Sequence, residues 1–436
     1  MRWGTAAGAL ALGLTVPVVG PLGPASAEPA LCLNAFQDGQ PVTSDEGSPL
    51  VEQLGLAQVR DELGVDGTGV KVAVVDSGVG ARVPVDLVGE QAFGGASRGT
   101  PVDPHGSEVA GIIAGAPVGG VADRGVGVAP GAQIVSLKVL DIDAQGEQAV
   151  AQAREQGLTT LTPQAVAQAL DWVAAQVRGG NDIGVVNVSL GVDPGVAGTD
   201  VLRPRLEALA ALDVLVVAAA PNVPPTQEGE ENGLTPLGDP PTEDPADVVA
   251  YPAGYSPVLP NVLSVGSMPF RGAEPSDGTR PSYFTDVVAP SQGAVTYLPD
   301  GSSCALEFAS SYSTAVVSGV AALLRQRNPD WTAAEVATRL EETAGGVTDA
   351  PNAYGGAGVV QPYDALTRTL QVDPETGRVT RSASAPRPAT QAEAPTPQED
   401  LLDDSRQDFL WWGLVAGAAV VLALVLRPAT SRLRRR

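Results

Sequence analysis

The sequence predicts an α/β domain in which helices flank a mostly parallel central sheet, followed by one C-terminal transmembrane helix. Short runs of β-branched apolar residues recur along the chain, and segments with apolar residues at helical spacing separate them. Strands that alternate with helices favour a parallel sheet covered on both faces. The composition of the two chain ends predicts export and a membrane anchor.

The predicted strands are short valine-rich runs bounded by glycine or polar residues, which is typical of strands buried on both faces. They cover residues 71–75, 134–140, 185–189, 214–218 and 262–265. Thr162 and Pro163 predict a helix start, as N-cap and first helical residue. Other helices are predicted over residues 109–114, 202–212, 316–327 and 330–342, the last with Asp330 as its acidic N-cap.

Several segments fall outside this alternation. Residues 141–160 are polar and glutamine-rich, and residues 223–247 are rich in proline and acidic residues, so both are expected to be inserted surface loops.

The predicted organisation is a signal peptide (1–27), an N-terminal extension (28–68) with a helical stretch near 52–62, a main domain (69–372), a Pro-rich linker (373–407), a transmembrane helix (408–427) and a basic cytoplasmic tail (428–436).

The first 27 residues have the three parts of a secretory signal peptide. Arg2 supplies the charged region, an apolar stretch covers residues 6–19, and Ala-Ser-Ala at 25–27 forms a cleavage site. The alternative is a first transmembrane helix, but prolines interrupt this short stretch. We therefore expect export, with cleavage after Ala27.

Near the other end, residues 409–426 contain no charged residue. At about 1.5 Å per residue these positions extend roughly 27 Å, close to the thickness of a bilayer core. Trp411 and Trp412 lie where an aromatic belt would, and arginines follow from Arg427 to the C-terminus. The arginines favour a cytoplasmic C-terminus and argue against a buried core helix. The sequence thus predicts a single-pass cell-membrane protein whose main domain is extracytoplasmic.

The charge balance and the cysteines restrict partners and compartment. The 436-residue chain carries 50 acidic and 26 basic residues, which argues against nucleic acid as a partner because phosphate binding needs a basic face. No acidic loop has calcium-ligand spacing, and we predict neither a metal nor a cofactor. Cys32 and Cys304 are the only cysteines. An oxidising compartment favours their pairing, although spacing does not show that they lie close together.

Three short motifs carry residues of catalytic type. Asp76 ends the first strand in VVDSG, His105 opens a helix in HGSEVAG, and Ser311 precedes the helix at 316–327. Such strand–helix junctions are where α/β sheets place their sites. His105 is the only histidine, and alone it would more often be a satisfied polar residue. The prediction of a catalytic site is specific because all three residues occur in this order.

Aspartate, histidine and serine each have a chemical role in nucleophilic catalysis. A serine hydroxyl becomes a nucleophile when a neighbouring imidazole takes its proton. The imidazole needs a buried carboxylate that fixes its tautomer and stabilises the imidazolium. A developing oxyanion needs N–H donors, and a position near a helix N-terminus gives Ser311 backbone donors of the right sign.

On these motifs, residues from about 50 to 368 resemble the subtilisin-like serine proteases, which have their triad in this order. More narrowly, the chain resembles the mycosins, the membrane-anchored subtilases of actinobacterial type VII secretion systems. The stretch 28–75 is short for the inhibitory pro-domain of secreted subtilases, and the inserted loops, linker and C-terminal helix also fit. The resemblance implies a three-layer subtilisin-like fold and a serine endopeptidase with the triad Asp76, His105 and Ser311.

The resemblance also implies further site residues. Asn222 would be the oxyanion-hole asparagine, and a peptide substrate would pair as an added strand with residues 187–191. Cys32 would attach the N-terminal extension, through Cys304, near the strand before the nucleophile, leaving no removable zymogen lid. The implied substrate-binding residues are Ser189, Leu190, Gly191, Ala218, Ala219 and Ala220.

Several positions depart from the family pattern. Ala309 and Ala315 replace a glycine and a proline on either side of the nucleophile, while Ser310 keeps the hydroxyl of the usual threonine. Pro221 replaces the glycine before the oxyanion asparagine, and Ser291 replaces another glycine. Ala309 loses the backbone freedom of glycine, and Pro221 restricts its neighbour. A weak, unusually selective or inactive protease is therefore an alternative to a fully active one.

The resemblance allows three functions. The first is an enzyme that hydrolyses an exported protein near the outer face of the membrane. The second is a structural subunit that stabilises the type VII secretion membrane complex with weak or no proteolysis. The third is a general cell-envelope protease unrelated to secretion. The expected partners are a protein or peptide substrate, type VII secretion membrane components and the membrane itself.

Overall fold

A computed structural model of the chain describes residues 32, 47–121, 125–144, 147–222, 244–268, 280–306, 308–345, 352–372 and 379–381. Its central sheet has seven strands, all parallel, in the order β2-β3-β1-β4-β5-β6-β7. These strands are β1 (Lys71–Asp76), β2 (Asp86–Ala92), β3 (Gln133–Lys138), β4 (Val185–Val188), β5 (Leu215–Ala219), β6 (Val262–Met268) and β7 (Val287–Pro290).

Two antiparallel hairpins and a set of helices complete the described structure. The hairpins are β8 (Val295–Tyr297) with β9 (Ser303–Ala305), and β10 (Leu370–Val372) with β11 (Val379–Arg381). The α-helices are α1 (Leu50–Gln53), α2 (Leu56–Leu63), α3 (His105–Ala114), α4 (Glu147–Glu155), α5 (Pro163–Arg178), α6 (Leu202–Ala210), α7 (Ser310–Arg327), α8 (Ala333–Thr343) and α9 (Pro362–Thr367).

Strand β1 separates two hydrophobic cores. Because successive side chains of a strand point to opposite faces, Val72 and Val74 pack in the core that α3 and α7 cover. Ala73 and Val75 pack in the core that α5 and α6 cover. All four side chains are buried. This helix–sheet–helix arrangement confirms the predicted α/β fold with a parallel sheet.

The predicted helix starts were partly correct. The Thr162 hydroxyl accepts a hydrogen bond from the N–H of Ala165, which confirms this N-cap. Asp330 was wrong as an N-cap, because Thr332 and Glu335 form a reciprocal capping box that starts α8 at Ala333. Helix α7 begins at Ser310 rather than near 316, because hydrogen-bonded serines and a threonine, not apolar residues, fill its first turns.

Several elements differ from the predicted pattern, among them strand β7, the two hairpins and helix α9, none of which was predicted. The expected loop at 141–160 contains α4, a polar helix whose predominantly exposed residues give no strong apolar signal. Edge strand β2 alternates exposed and half-buried residues, so it has no apolar run that would mark it as a buried strand.

The N-terminal extension packs against the same core as α7. Leu50, Leu56 and Val59 of its two helices are completely buried. Cys32 forms a disulfide with Cys304 in β9, with the two Cα atoms 4.9 Å apart. The disulfide expected from the sequence is therefore confirmed, and it attaches the extension to the hairpin that precedes α7.

Within the part of the chain that the structure describes, no helix is both long and apolar enough to cross a membrane. The predicted signal peptide and the apolar segment 409–426 lie outside the described residues, as do most of the predicted linker and most of the predicted loop at 223–247.

Candidate active site

The carboxyl end of β1 places Asp76 against the first residue of α3. Asp76 is fully buried, and its Oδ1 lies 2.8 Å from Nδ1 of His105. The same oxygen accepts a 2.7 Å hydrogen bond from the N–H of Ser77. The His105 side chain keeps 20% of its surface exposed. One edge of the ring is thus held by a buried carboxylate while the ring reaches the surface.

Close backbone approach brings these two motifs together. A Cβ atom on Gly106 would lie 2.5 Å from the carbonyl oxygen of Gly78, so only glycine fits where α3 meets the turn after β1. The Ser77 hydroxyl accepts from the N–H of Gly106 and donates to the carbonyl oxygen of Asp103. The glycines and serines of VVDSG and HGSEVAG therefore have a geometric role.

Ser311 lies in the first turn of α7 and is 7% exposed. Its carbonyl oxygen accepts a 2.6 Å hydrogen bond from the hydroxyl of Ser189, which follows β4. The Ser189 hydroxyl accepts from the Asn187 amide, and Asn187 in turn accepts from the hydroxyl of Ser318. This buried chain of hydrogen bonds holds the start and the middle of α7 against the end of β4.

Asn222 lies beside the start of α7. Its Oδ1 accepts a 2.8 Å hydrogen bond from the N–H of Ser310. The Ser310 hydroxyl donates to the carbonyl oxygen of Ala220 at 2.6 Å. The hydroxyl that this chain keeps at position 310 therefore ties α7 to the segment that follows β5.

A cleft of about 420 Å³ joins these elements at the carboxyl edge of the sheet. His105, Ser311 and Asn222 all line it. Five of the six predicted substrate-binding residues line it as well, namely Ser189, Leu190, Gly191, Ala219 and Ala220. Ala218 does not reach the cleft, because it is fully buried within β5 in the core under α5 and α6.

The cleft also contains Pro221, already noted as a departure from the family pattern, and residues that the sequence did not indicate. Pro221 lines it beside Asn222, and other lining residues come from separate loops: Asp143, Leu161, Asp193, Ala250 and Arg280. Backbone pairing of Val192 with Tyr251 brings two of these loops together. Such pairings join distant parts of the chain, so no local pattern could have identified these residues.

The substitutions at Ala309 and Ser291 fit each other. Ala309 has φ −161° and ψ 150°, an extended conformation that alanine adopts without strain. The Ser291 hydroxyl accepts from the N–H of Ala309 and donates to its carbonyl oxygen. The expected loss of glycine's backbone freedom therefore has no consequence for the fold at this position.

The electrostatics at His105 have two opposing parts. Burial of the ring lowers its pKa, whereas the negative charge of Asp76 and the hydrogen bond to it raise the pKa. The net direction is upward, to which Asp103 and Glu108 also contribute. The site therefore favours the imidazolium, the form that a general base reaches during reaction.

The described residues contain one cluster of possible metal ligands, formed by Cys32, Glu108 and Cys304. Both cysteines of this cluster are joined in the disulfide, so they offer no thiolate to a metal.

The chain is similar to known proteins over most of its length. Mycosin-1 of Mycobacterium tuberculosis (strain ATCC 25618 / H37Rv) is 35% identical over 338 residues, which cover 71% of this chain and 71% of that protein. The structure of the MycP3 protease from the type VII (ESX-3) secretion system is 29% identical, with a TM-score of 0.55 over 74% of this chain and 89% of that chain. A chain of an intact ESX-5 inner membrane complex is 25% identical, with a TM-score of 0.56 over 92% of this chain and 93% of that chain. The profile of the subtilase family matches residues 67–358, and the chain therefore belongs to the subtilase family.

Proposed function

We propose that this chain is a serine endopeptidase in which Ser311 is the nucleophile, His105 the general base and Asp76 the carboxylate that orients the base. The observation that carries the proposal is the 2.8 Å contact between His105 Nδ1 and Asp76 Oδ1, beside a cleft that both His105 and Ser311 line. A neutral imidazole that donates from Nδ1 to a carboxylate keeps Nε2 as its acceptor. That nitrogen is the one a serine hydroxyl needs.

The reaction follows from these positions. Ser311 Oγ forms a bond to the carbonyl carbon of the scissile peptide while its proton moves to Nε2 of His105. His105 passes this proton to the leaving amine as the C–N bond breaks, and a water molecule then releases the acyl group in the same way. Asn222 would stabilise the oxyanion: its carbonyl oxygen is occupied by the Ser310 N–H, so its amide donors are left for substrate.

An extended peptide is the proposed substrate. Ser189, Leu190 and Gly191 continue from β4 along the cleft, where the backbone of an extended chain can pair as an added strand. Pro221 lines the same cleft where the family has glycine, and its ring occupies space near Asn222. We therefore expect selective rather than general proteolysis.

Fluorophosphonate labelling of the full-length chain in detergent tests the assignment. The probe reacts with an activated serine, so the wild type should be labelled and Ser311→Ala should not. Ser302→Ala is a matched control, since Ser302 lies in the turn between β8 and β9 and outside the cleft. A wild-type protein that unfolds cooperatively but takes no label would contradict the proposed function.

We further propose that the enzyme is a single-pass protein of the cell membrane, acts on its outer face and is associated with type VII secretion. The predicted signal peptide and the apolar segment 409–426 support the location, and the similarity to MycP3 and to the ESX-5 complex chain supports the association. Protease added to intact cells should digest the main domain and leave an epitope tag placed after Arg436 intact. Digestion of that tag in intact cells would contradict this orientation.

The similarity to a chain within an intact membrane complex favours a second function, as a structural subunit. Secretion in a strain carrying Ser311→Ala, compared with a deletion strain, separates the two functions. Loss of secretion in both strains supports a proteolytic role. Secretion that survives Ser311→Ala but not the deletion supports the structural role. Normal secretion in both strains would leave the third possibility, a cell-envelope protease unrelated to secretion.

A further inference from the structure

A carboxyl group lies buried behind the candidate triad. Glu108 is one helical turn after His105 on α3, so both side chains lie on the same side of the helix. Only 4% of Glu108 is exposed. Its Oε2 accepts a 2.7 Å hydrogen bond from the hydroxyl of Tyr312, the residue that follows Ser311.

Tyr312 connects Glu108 to the residues of the proposed triad. The centroid of its ring lies 5.5 Å from that of the His105 ring, with the planes tilted by 38°. Its backbone belongs to the first turn of α7, next to Ser311. The hydrogen bond to Glu108 therefore joins the helix that carries the base to the helix that carries the nucleophile, and the ring supports the imidazole.

The disulfide lies close to the carboxylate of Glu108. A carboxylate oxygen of Glu108 and the sulfur atoms of Cys32 and Cys304 lie within 4.8 Å of one another, and all three residues are buried. Because the apolar sulfur atoms rather than water lie beside Glu108, the local dielectric constant is low. A charge on Glu108 therefore interacts strongly with neighbouring charges.

We propose that Glu108, held by Tyr312, is a positioning residue for His105: a second carboxylate that acts with Asp76 to hold the imidazole and stabilise the imidazolium formed during the reaction. This inference rests on the proposed function, because it assigns His105 as the base. The triad itself does not use Glu108 or Tyr312, so the family motif does not imply this positioning role.

Other titratable groups lie before α3 or on the elements packed against it. Asp103 precedes the helix and accepts from the N–H of His105, and Asp76 approaches from β1. Lys138 on β3 is paired with Asp141, and the Tyr297 hydroxyl on β8 donates to the carbonyl oxygen of Ala116. Among these groups, Glu108 is the one that Tyr312 contacts by a hydrogen bond.

The electrostatic directions agree with the geometry. Burial raises the pKa of Glu108 to about 7, against the opposing influence of His105 and of the Tyr312 hydrogen bond. The charge of Glu108 is in turn one of the causes that raise the pKa of His105. Removing the charge of Glu108 should therefore lower the pKa of His105.

Glu108→Gln separates charge from hydrogen bonding, because the amide oxygen can still accept from Tyr312. Since His105 is the only histidine, a ¹³C label in histidine gives one resonance whose titration reports its pKa in the full-length chain in detergent. We expect Glu108→Gln to lower this pKa by about one pH unit. The acid limb of the fluorophosphonate labelling rate should move to lower pH by the same amount.

Tyr312→Phe keeps the ring against His105 and removes only the hydroxyl, so it carries the test if Glu108→Gln does not fold. A carboxylate without its donor takes up a proton at higher pH, and the pKa of His105 should again fall. The surface pair formed by Glu62 and the Tyr363 hydroxyl has the same 2.7 Å hydrogen bond. Glu62→Gln is therefore a matched control, with an unchanged His105 titration expected.

The outcomes distinguish this inference from the proposed function. If the wild type is labelled but His105 titrates identically in the wild type and in every folded variant of the Glu108–Tyr312 pair, the inference is overturned and the protease assignment stands. If the folded wild type takes no label, the proposed function and this inference are both overturned. A downward shift in folded variants of the pair, absent in Glu62→Gln, supports the inference.

Discussion

At the scale of single residues, His105 owes its chemistry to the groups around it. Burial disfavours the charged ring, but Asp76, Asp103 and Glu108 together more than offset this, and Asp76 also holds the proton on Nδ1. Asp76 itself is held by the N–H of Ser77. The tautomer of the ring therefore depends on one buried carboxylate oxygen.

Asp76→Asn should reveal this dependence. An amide of the same shape donates to Nδ1, so the ring carries its proton on Nε2 and loses its acceptor for the Ser311 hydroxyl. We expect the fluorophosphonate labelling rate to fall by roughly 10⁴-fold. The pKa of His105 should also fall, because burial is then no longer opposed by Asp76.

Asp193→Asn provides the comparison for this change. Asp193 lines the cleft but is exposed, and its substitution removes the same charge without touching the Nδ1 hydrogen bond. Its labelling rate should stay near that of the wild type. A labelling rate that stays equally high in Asp76→Asn would show that Asp76 does not orient the base.

At the scale of elements, the site depends on how α7 is held against the sheet. Asn187 of β4 is fully buried and bridges two serines of different elements: it donates to Ser189 and accepts from Ser318. Ser189 then donates to the carbonyl oxygen of Ser311. A polar chain in the core thus connects strand, cleft segment and helix.

Ser318→Ala should destabilise the protein, because it leaves the buried Oδ1 of Asn187 without this donor. We expect the free energy of unfolding to fall by about 1–3 kcal/mol, measured by urea denaturation. Ser302→Ala, where the hydroxyl binds Asp300 in an exposed turn, should change it by less than about 0.5 kcal/mol. Equal stability of the two variants would show that the buried chain contributes little.

At the scale of the whole molecule, the N-terminal extension forms part of the domain. Its helices contribute Leu50, Leu56 and Val59 to the core under α7, and the Ser48 hydroxyl accepts from the N–H of Val295, the first residue of β8. The disulfide joins Cys32 and Cys304 across a sequence separation of 272. A cross-link over so long a loop restricts the unfolded chain strongly.

Removing the disulfide should therefore lower the stability of the whole domain. The double variant Cys32→Ser/Cys304→Ser should lose about 2–5 kcal/mol of unfolding free energy, measured by urea denaturation. A reducing agent should bring the wild type towards the double variant and leave the double variant itself unchanged. A double variant as stable as the oxidised wild type would contradict this prediction.

Local patterns were sufficient for most of the buried framework. The β-branched runs that form β1, β3, β4, β5 and β6 could be predicted as strands, because a strand buried on both faces must be apolar throughout. Edge strand β2 and helix α4 were not predicted, because half-exposed elements need no such run. The short buried strand β7 was not predicted either. Pairing with β3, a distant segment, is what makes β2 a strand.

By itself, the sequence determined the fold class, the positions of Asp76, His105 and Ser311 at strand and helix ends, and the residues that line most of the cleft. The fold class and the positions of the three residues follow from short-range spacing and local motifs, whereas the cleft residues follow from the resemblance to the subtilisin-like proteases. The tertiary structure alone decided that Ala218 faces the core and that Ser291 binds the backbone of Ala309.

The tertiary structure also decided that the buried Glu108 and disulfide form one cluster with the partly buried Tyr312. Its members lie far apart along the chain, so their contacts exist only after the helices α3 and α7 have packed. The signal in the sequence was a single charged residue among the small and apolar residues of HGSEVAG. What satisfies that buried charge is a question of packing, because a carboxylate accepts any donor that the fold brings within reach.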